Sequence, residues 1–326
     1  MAVPVFFAAA AIAYVSVGLQ PRGGGKCIEF VIPEGATTGW VAESLYRNGI
    51  IRNPALFRLY ARTHDLDKRI AAGTYKVSSG LSVPELLRLL TGGGQVTKRF
   101  TLPEGLTVKE IAARLEQQNV VNAEAFLKEL QTGKFDHAFL PGGLAGLARF
   151  EGYLFPDTYQ VFSDVSAHAV IELMLRRFAA VSEELNLPAE AARHGLTVHQ
   201  AVTLASLVER EAKRSEERAL IAGVLYNRLR KGMPLQVDAT VQYALGVHRE
   251  RILYKDLTVD SPYNTYRVTG LPPGPIAAPG RASLLAVIRP AETDYLYYVA
   301  KPDGSHAFSR TLSEHNANKR CYQGAP

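Results

Sequence analysis

A short alternating run followed by apolar positions at helical spacing recurs along this chain. Phe30-Val-Ile-Pro-Glu-Gly-Ala-Thr37 aligns with Phe100-Thr-Leu-Pro-Glu-Gly-Leu-Thr107, at an offset of about seventy residues. The match continues through Val41/Ile111, Ala42/Ala112, Leu45/Leu115 and Ile50/Val120. Gly80 to Leu90 is a shorter relative of Gly105 to Leu115. Each copy predicts a strand ending at glycine, a Thr or Ser N-cap, and a helix with apolar i, i+3, i+4 positions. Ser82 and Thr107 are followed three residues on by Glu85 and Glu110, the spacing of a capping box. Similar local folds are therefore expected at 30–50 and 100–120.

Further along, helical patterns run at about 165–183 and 197–231, and a Gly/Pro-rich stretch spans Gly270 to Gly280. Tyr295-Leu-Tyr-Tyr-Val-Ala300 and His306-Ala-Phe-Ser309, either side of Asp303-Gly304, predict a β-hairpin. Segregated strands and helices without regular βαβ alternation make the expected class α+β. At the other end, Val3 to Leu19 is apolar and free of ionisable side chains, near the lower length for a membrane-spanning helix. A single anchor is expected there, followed by a flexible linker at Gln20 to Gly25. The first cations, Arg22 and Lys26, follow the apolar run, the reverse of the usual charge bias for an exported domain.

Composition narrows the field only a little. Hydrophobic residues at 47% and charged residues at 21% suit a chain of 326 residues with a real core and about two domains. Cys27 and Cys321 lie at opposite ends of the chain without CxxC spacing, which excludes a cysteine zinc site and a dense disulfide framework. His248, His306 and His315 show no metal-ligand spacing, so no metal or cofactor is expected. A net charge of +6 favours acidic partners in general, yet no Lys/Arg block or nucleic-acid motif is present, and no nucleic-acid partner is expected.

Chemistry concentrates on the helix His199-Gln-Ala-Val-Thr-Leu-Ala-Ser-Leu-Val-Glu-Arg-Glu-Ala212. On a helical wheel, Ala201, Val202, Leu204, Ala205, Leu207, Val208 and Ala212 form an apolar face, with Thr203, Ser206, Arg210 and Arg214 opposite. Glu209 and Glu211 fall on the two flanks, about 160° apart, too divergent to act as a glycosidase pair. Either one, at the edge of an apolar face, could be a general acid with a raised pKa. Small neighbours, Ala201 and Ala205, leave room beside Glu209, whereas Glu211 lies between Leu204 and Leu207.

Four further segments are dense in aromatic, amide and carboxylate side chains. They are EGYLFPDTY from Glu151, LQVDATV from Leu235, YNTY from Tyr263 and GLPPGPI from Gly270. Rings that pack on pyranose faces, beside groups that bond hydroxyls, suit sugar recognition. Gln236, Asp238, Tyr263, Asn264 and Tyr266 are the substrate-binding candidates.

Taken in order, EGYLFPDTY, ASLVERE, YNRLRKGMPLQVDATVQYAL, SPYNTYRVTGLPPGPI and PGRASLLAVIRP closely resemble the endolytic murein (peptidoglycan) transglycosylases, the MltG/YceG-like proteins. The resemblance covers nearly all of Cys27 to Tyr322. It implies an inner-membrane anchor (1–20), a linker (21–27), a LysM-like membrane-proximal βα module (28–96) and an α+β catalytic module (97–322) in the periplasm. The implied activity is internal cleavage of MurNAc-GlcNAc bonds in nascent glycan strands to give 1,6-anhydro ends. Glycan strands and the inner membrane are the expected partners, with glycan-synthesising enzymes as further candidates. The resemblance places the family's catalytic glutamate on the first Glu of ASLVERE, Glu209. Val237 departs from the Ser or Thr usual there. The reading from another class is a non-catalytic peptidoglycan-binding or scaffold protein.

Overall fold

The computed structural model describes residues 14–246 and 252–323. Most of the expected anchor, residues 1–13, lies outside the described residues. No helix among the described residues is long and apolar enough to cross a membrane.

The chain divides into two units, residues up to Arg99 with Gln160–Val165, and Phe100–Tyr159 with the chain from Ser166 onward. In the first unit, β1 (Cys27–Ile32) pairs antiparallel with β2 (Gly73–Ser78), and three helices, α1 (Thr38–Arg47), α2 (Pro54–Thr63) and α3 (Val83–Thr91), share its core. Alternation directs Phe30 and Ile32 inward and leaves Val31 exposed. Asn53 caps α2 ahead of a proline in its first turn, and Ser82 with Glu85 closes the capping box of α3. Each cap satisfies backbone N–H groups that the helix itself cannot.

The second repeat copy begins at β3 (Thr97–Thr101) and continues into α4 (Val108–Gln117), capped by Thr107 and Glu110 as the spacing predicts. Both long copies thus have the same local order, strand, Pro-Glu-Gly turn, Thr N-cap and helix. Helix α5 (Ala123–Thr132) follows, and β4 (Thr158–Phe162) then pairs with β3.

In the second unit, α6 (Ala167–Glu184) and α7 (Leu187–Arg193) lead to α8 (Val198–Glu211). Around α8 pack α7, α9 (Arg218–Arg230), α10 (Asp238–Leu245) and α11 (Arg281–Ile288). This corrects the wheel. Thr203 and Ser206, expected on an open polar face, are buried, because partners cover α8 on every side over residues 201–208. Their hydroxyls donate to His199 O and Thr203 O, and Ser206 Oγ also accepts from Ile276 N at 3.0 Å, fixing the GLPPGPI loop to the helix.

The expected hairpin forms as β5 (Tyr297–Ala300) and β6 (His306–Ser309), in antiparallel register Tyr297↔Ser309 to Ala300↔His306. Helix α12 (Leu312–Gln323) packs on it. Cys27 and Cys321 are both exposed free thiols.

Candidate active site

Helix α8 is held at its start by a capping box between Thr197 and Gln200 and is buried through its middle, so its two glutamates emerge at the last turn in fixed directions. Each meets a different set of partners.

Glu209 is locked. Its Oε2 accepts from Gly280 N at 2.9 Å, and its Oε1 lies 3.3 Å from Arg218 Nη2, with side chains only 6% and 15% exposed. Arg218 also lies 3.8 Å from Glu104 Oε2 and donates from Nε to Ser283 Oγ at 3.1 Å. Glu104 belongs to the Pro-Glu-Gly of the second repeat copy. Burial, and then the Glu209 charge, raise its carboxyl pKa. Ala201 and Ala205 do leave room beside Glu209, but the Gly280 turn and the Arg218 guanidinium occupy it.

Glu211 is set differently. It keeps part of its surface open to solvent, yet burial raises its carboxyl pKa to about 7, with the Asp238 carboxylate adding to the rise. Glu211 Oε2 accepts from Tyr298 OH on β5 at 3.1 Å. Tyr266 OH donates to Asp238 Oδ1 at 2.5 Å. The buried Arg228 lies 5.0 Å from the centre of the Tyr297 ring. It is clamped on the carbonyls of Leu296, Pro234 and Leu235, and its Nη1 donates to Gln236 Oε1 at 3.3 Å. Gln236 has φ +53°, a conformation unusual for any side chain but glycine or asparagine, and its backbone is tied to Thr265 O.

Three of the five substrate-binding candidates, Gln236, Asp238 and Tyr266, therefore gather around Glu211 rather than Glu209. Tyr263 lies elsewhere, with its ring 4.9 Å from that of Tyr243. Asn264 is corrected. It is fully buried, its amide nitrogen donates to Leu257 O and Val259 O, and its oxygen accepts from Tyr266 N, leaving nothing for a glycan. It shapes the loop that carries Tyr266.

The sequence pattern did not single out Tyr298, Arg228, Arg218 or Glu104. Tyr298 was visible only as a strand residue, and the two arginines only as members of a helical run. Glu151 lay in a quoted motif without a role. It is 5% exposed, and burial raises its carboxyl pKa to about 8. Next to it, Gly152 has φ +84°, and a Cβ there would stand 2.6 Å from Pro275, so only glycine lets EGYLFPDTY pack against GLPPGPI. Among the described residues no group of three His, Cys, Asp or Glu side chains could hold a metal ion.

The YceG-like family model matches residues 30–321. An endolytic murein transglycosylase of Bacillus subtilis is 36% identical over 303 residues, covering 89% of this chain and 83% of that protein. One from Streptococcus pneumoniae is 33% identical over 322 residues, and the match covers 90% of this chain but 58% of that longer protein. A crystal structure of a yceG-like protein from Listeria monocytogenes superposes with a TM-score of 0.61 at 34% identity, covering 91% of this chain and 100% of the other. With the family model matching residues 30–321, across both units, the chain belongs to the YceG-like family.

Proposed function

We propose that this protein is an endolytic peptidoglycan lytic transglycosylase whose acid and base is one of the two glutamates that end α8: Glu209, which the resemblance implies, or Glu211, the second reading, which its raised carboxyl pKa favours. The observation that favours Glu211 is its place beside Tyr298 OH, at 3.1 Å, with the Asp238 carboxylate adding to the rise of its pKa. A carboxyl with a pKa of about 7 keeps a proton to give near neutral pH and can take one back. Glu209 accepts from Gly280 N and Arg218 Nη2, contacts that fix the direction of its carboxyl.

On the Glu211 reading that carboxyl protonates the glycosidic oxygen, and the C6 hydroxyl of the muramic acid attacks its own anomeric carbon. Glu211 then accepts the C6 hydroxyl proton as the 1,6-anhydro ring closes. No water need be activated, so one carboxyl serves both steps. Asp238, held by Tyr266, contributes a negative charge that keeps Glu211 protonated and opposes the positive charge developing at the anomeric carbon. Gln236, fixed by Arg228, offers its amide N–H to sugar hydroxyls. Mass analysis of digested strands tests the reaction class: anhydro-muramyl ends support it, and reducing ends or uncut strands reject it.

The pH profile is a second check, on the Glu211 reading. Donation requires protonated Glu211, which predominates below about pH 7 and is lost above it. The rate is expected to fall on the alkaline side with an apparent pKa near that value. The Tyr298 hydrogen bond favours the charged form, so Tyr298→Phe should move this limb upward. A limb that stays in place would remove Tyr298 from its positioning role.

For the remaining organisation we propose a single inner-membrane anchor around Val3–Leu19, a LysM-like wall-contacting module in the first unit, and a periplasmic catalytic unit. Trp40 and Tyr46, exposed on α1, are the kind of surface rings that sugars stack on. External protease applied to spheroplasts should degrade the chain while sparing cytoplasmic markers, and protection would reject this placement.

A further inference from the structure

A cavity of about 470 Å³ lies beside these glutamates, walled by the first turn of α4, by α10 and by Glu151. Lys109, Glu110, Arg210, Gln242 and Tyr243 are among its lining residues. Arg210 stands between Glu209 and Glu211 in the chain, and Ala239, also in the wall, follows Asp238. Consecutive Cα atoms are about 3.8 Å apart, so the cavity wall begins one residue from the proposed reacting carboxyls. Its size is that of a small-ligand site.

We propose that this cavity is the subsite for the acidic stem peptide borne by the muramic acid of the substrate, with Lys109 as the cation that meets its carboxylate and Arg210 and Glu151 in the wall. The proposal rests on the peptidoglycan reading above and deepens it, from a glycan to a glycan that carries its peptides. Two observations favour an anionic occupant. Two cations line the space, Lys109 on an exposed turn and Arg210, anchored on Gly105 O at 3.0 Å. Glu110 also lines the space, with its Oε2 held by Thr107 N at 2.8 Å and Thr107 Oγ1 at 2.9 Å in the capping box. Glu151 accepts from Val108 N at 3.0 Å and from Tyr243 OH at 3.3 Å, so when protonated it keeps its own O–H for the cavity.

Ionisation of Glu151 would place a third-party negative charge against the peptide. Lys109 and Glu110 on α4, Tyr243 on α10, Tyr263 and Arg210 are the titratable and charged groups around it. Binding of an acidic peptide should therefore weaken as the pH passes about 8.

The test is calorimetric titration of N-acetylmuramyl dipeptide into the full chain, with N-acetylglucosamine, which carries no carboxylate, as the comparison. The dipeptide is expected to bind about tenfold more tightly than the bare sugar at pH 7, equivalent to about 1.4 kcal/mol. Lys109→Ala, at an exposed position, should remove that advantage. Between pH 7 and pH 9 the wild-type advantage should disappear, whereas Glu151→Gln, neutral throughout, should retain it. Equal affinity for sugar and dipeptide, or a dipeptide advantage that survives Lys109→Ala, would overturn the subsite. Because binding is read without turnover, a failure of the transglycosylase reading appears separately, as absence of anhydro ends from cleaved strands.

Discussion

With Glu211 as the acid, Glu211→Gln is expected to lower the release of anhydro-muramyl ends from purified glycan by about 10²- to 10⁴-fold, the usual contribution of a general acid. Glutamine keeps the shape of the side chain and can still accept from Tyr298 OH, so the site should remain intact while the transferable proton is gone. Substrate should still bind, and the loss should fall on kcat more than on KM. Glu209→Gln is the informative partner. Its amide can still accept from Gly280 N, and no step of the Glu211 reading needs its proton. On that reading the folded Glu209 variant should retain most activity, with any loss following stability. A dead Glu209→Gln beside a near-normal Glu211→Gln, both folded, would return the chemistry to the first glutamate of ASLVERE.

The second large effect is on stability. Arg218 is 15% exposed and lies between Glu209, 6% exposed, and the more open Glu104, so Arg218→Met should leave two carboxylates facing one another without a counter-charge. Removing one partner of a buried ion pair typically costs about 3–5 kcal/mol, and the partial exposure of Glu104 places this case toward the lower figure. Chemical denaturation of the full chain measures it. Adding Glu209→Gln to Arg218→Met should recover part of the loss, because the stranded charge is then gone. Losses that simply add across the double-mutant cycle, with no coupling, would show that the pair is not a unit.

These two residues also show where reading along the chain stops being sufficient. Glu209 and Glu211 have the same side chain and lie two positions apart in an apolar helix. The wheel placed them correctly on opposite flanks, but it ranked them by the size of their neighbours on the same helix. Space beside Ala201 and Ala205 is real, and it is filled by Gly280 and Arg218 from elsewhere in the chain. The flank of Glu211 looked crowded by leucines, yet those side chains turn into the core, and the carboxyl faces Tyr298, 87 residues on.

Asn264 failed as a binding candidate for a related reason. A Tyr-Asn-Thr-Tyr run has the composition of a sugar site, but an asparagine in a tight loop can spend its whole amide on nearby carbonyls and N–H groups, as this one does. Tyr266, two residues further, remains beside Asp238 because that loop holds it there. The repeat, by contrast, was legible in detail. Caps and the apolar i, i+3, i+4 stripe are local, so Ser82, Thr107, Glu85 and Glu110 took the predicted positions.

Local interactions and periodicity by themselves therefore determined the α+β class, the βα repeat, the α8 helix and the β5–β6 hairpin, and the order of motifs determined the family. Each depends on contacts within a few residues, or on a pattern that survives whatever packs against it. Which arginine pairs with Glu209, which hydroxyl reaches Glu211 and which ring holds Asp238 were decided only in three dimensions. A carboxyl's proton affinity is set by desolvation and by nearby charges, and here Asp238 acts on Glu211 while Glu209 and Arg218 act on Glu104, each from a different segment of the folded chain.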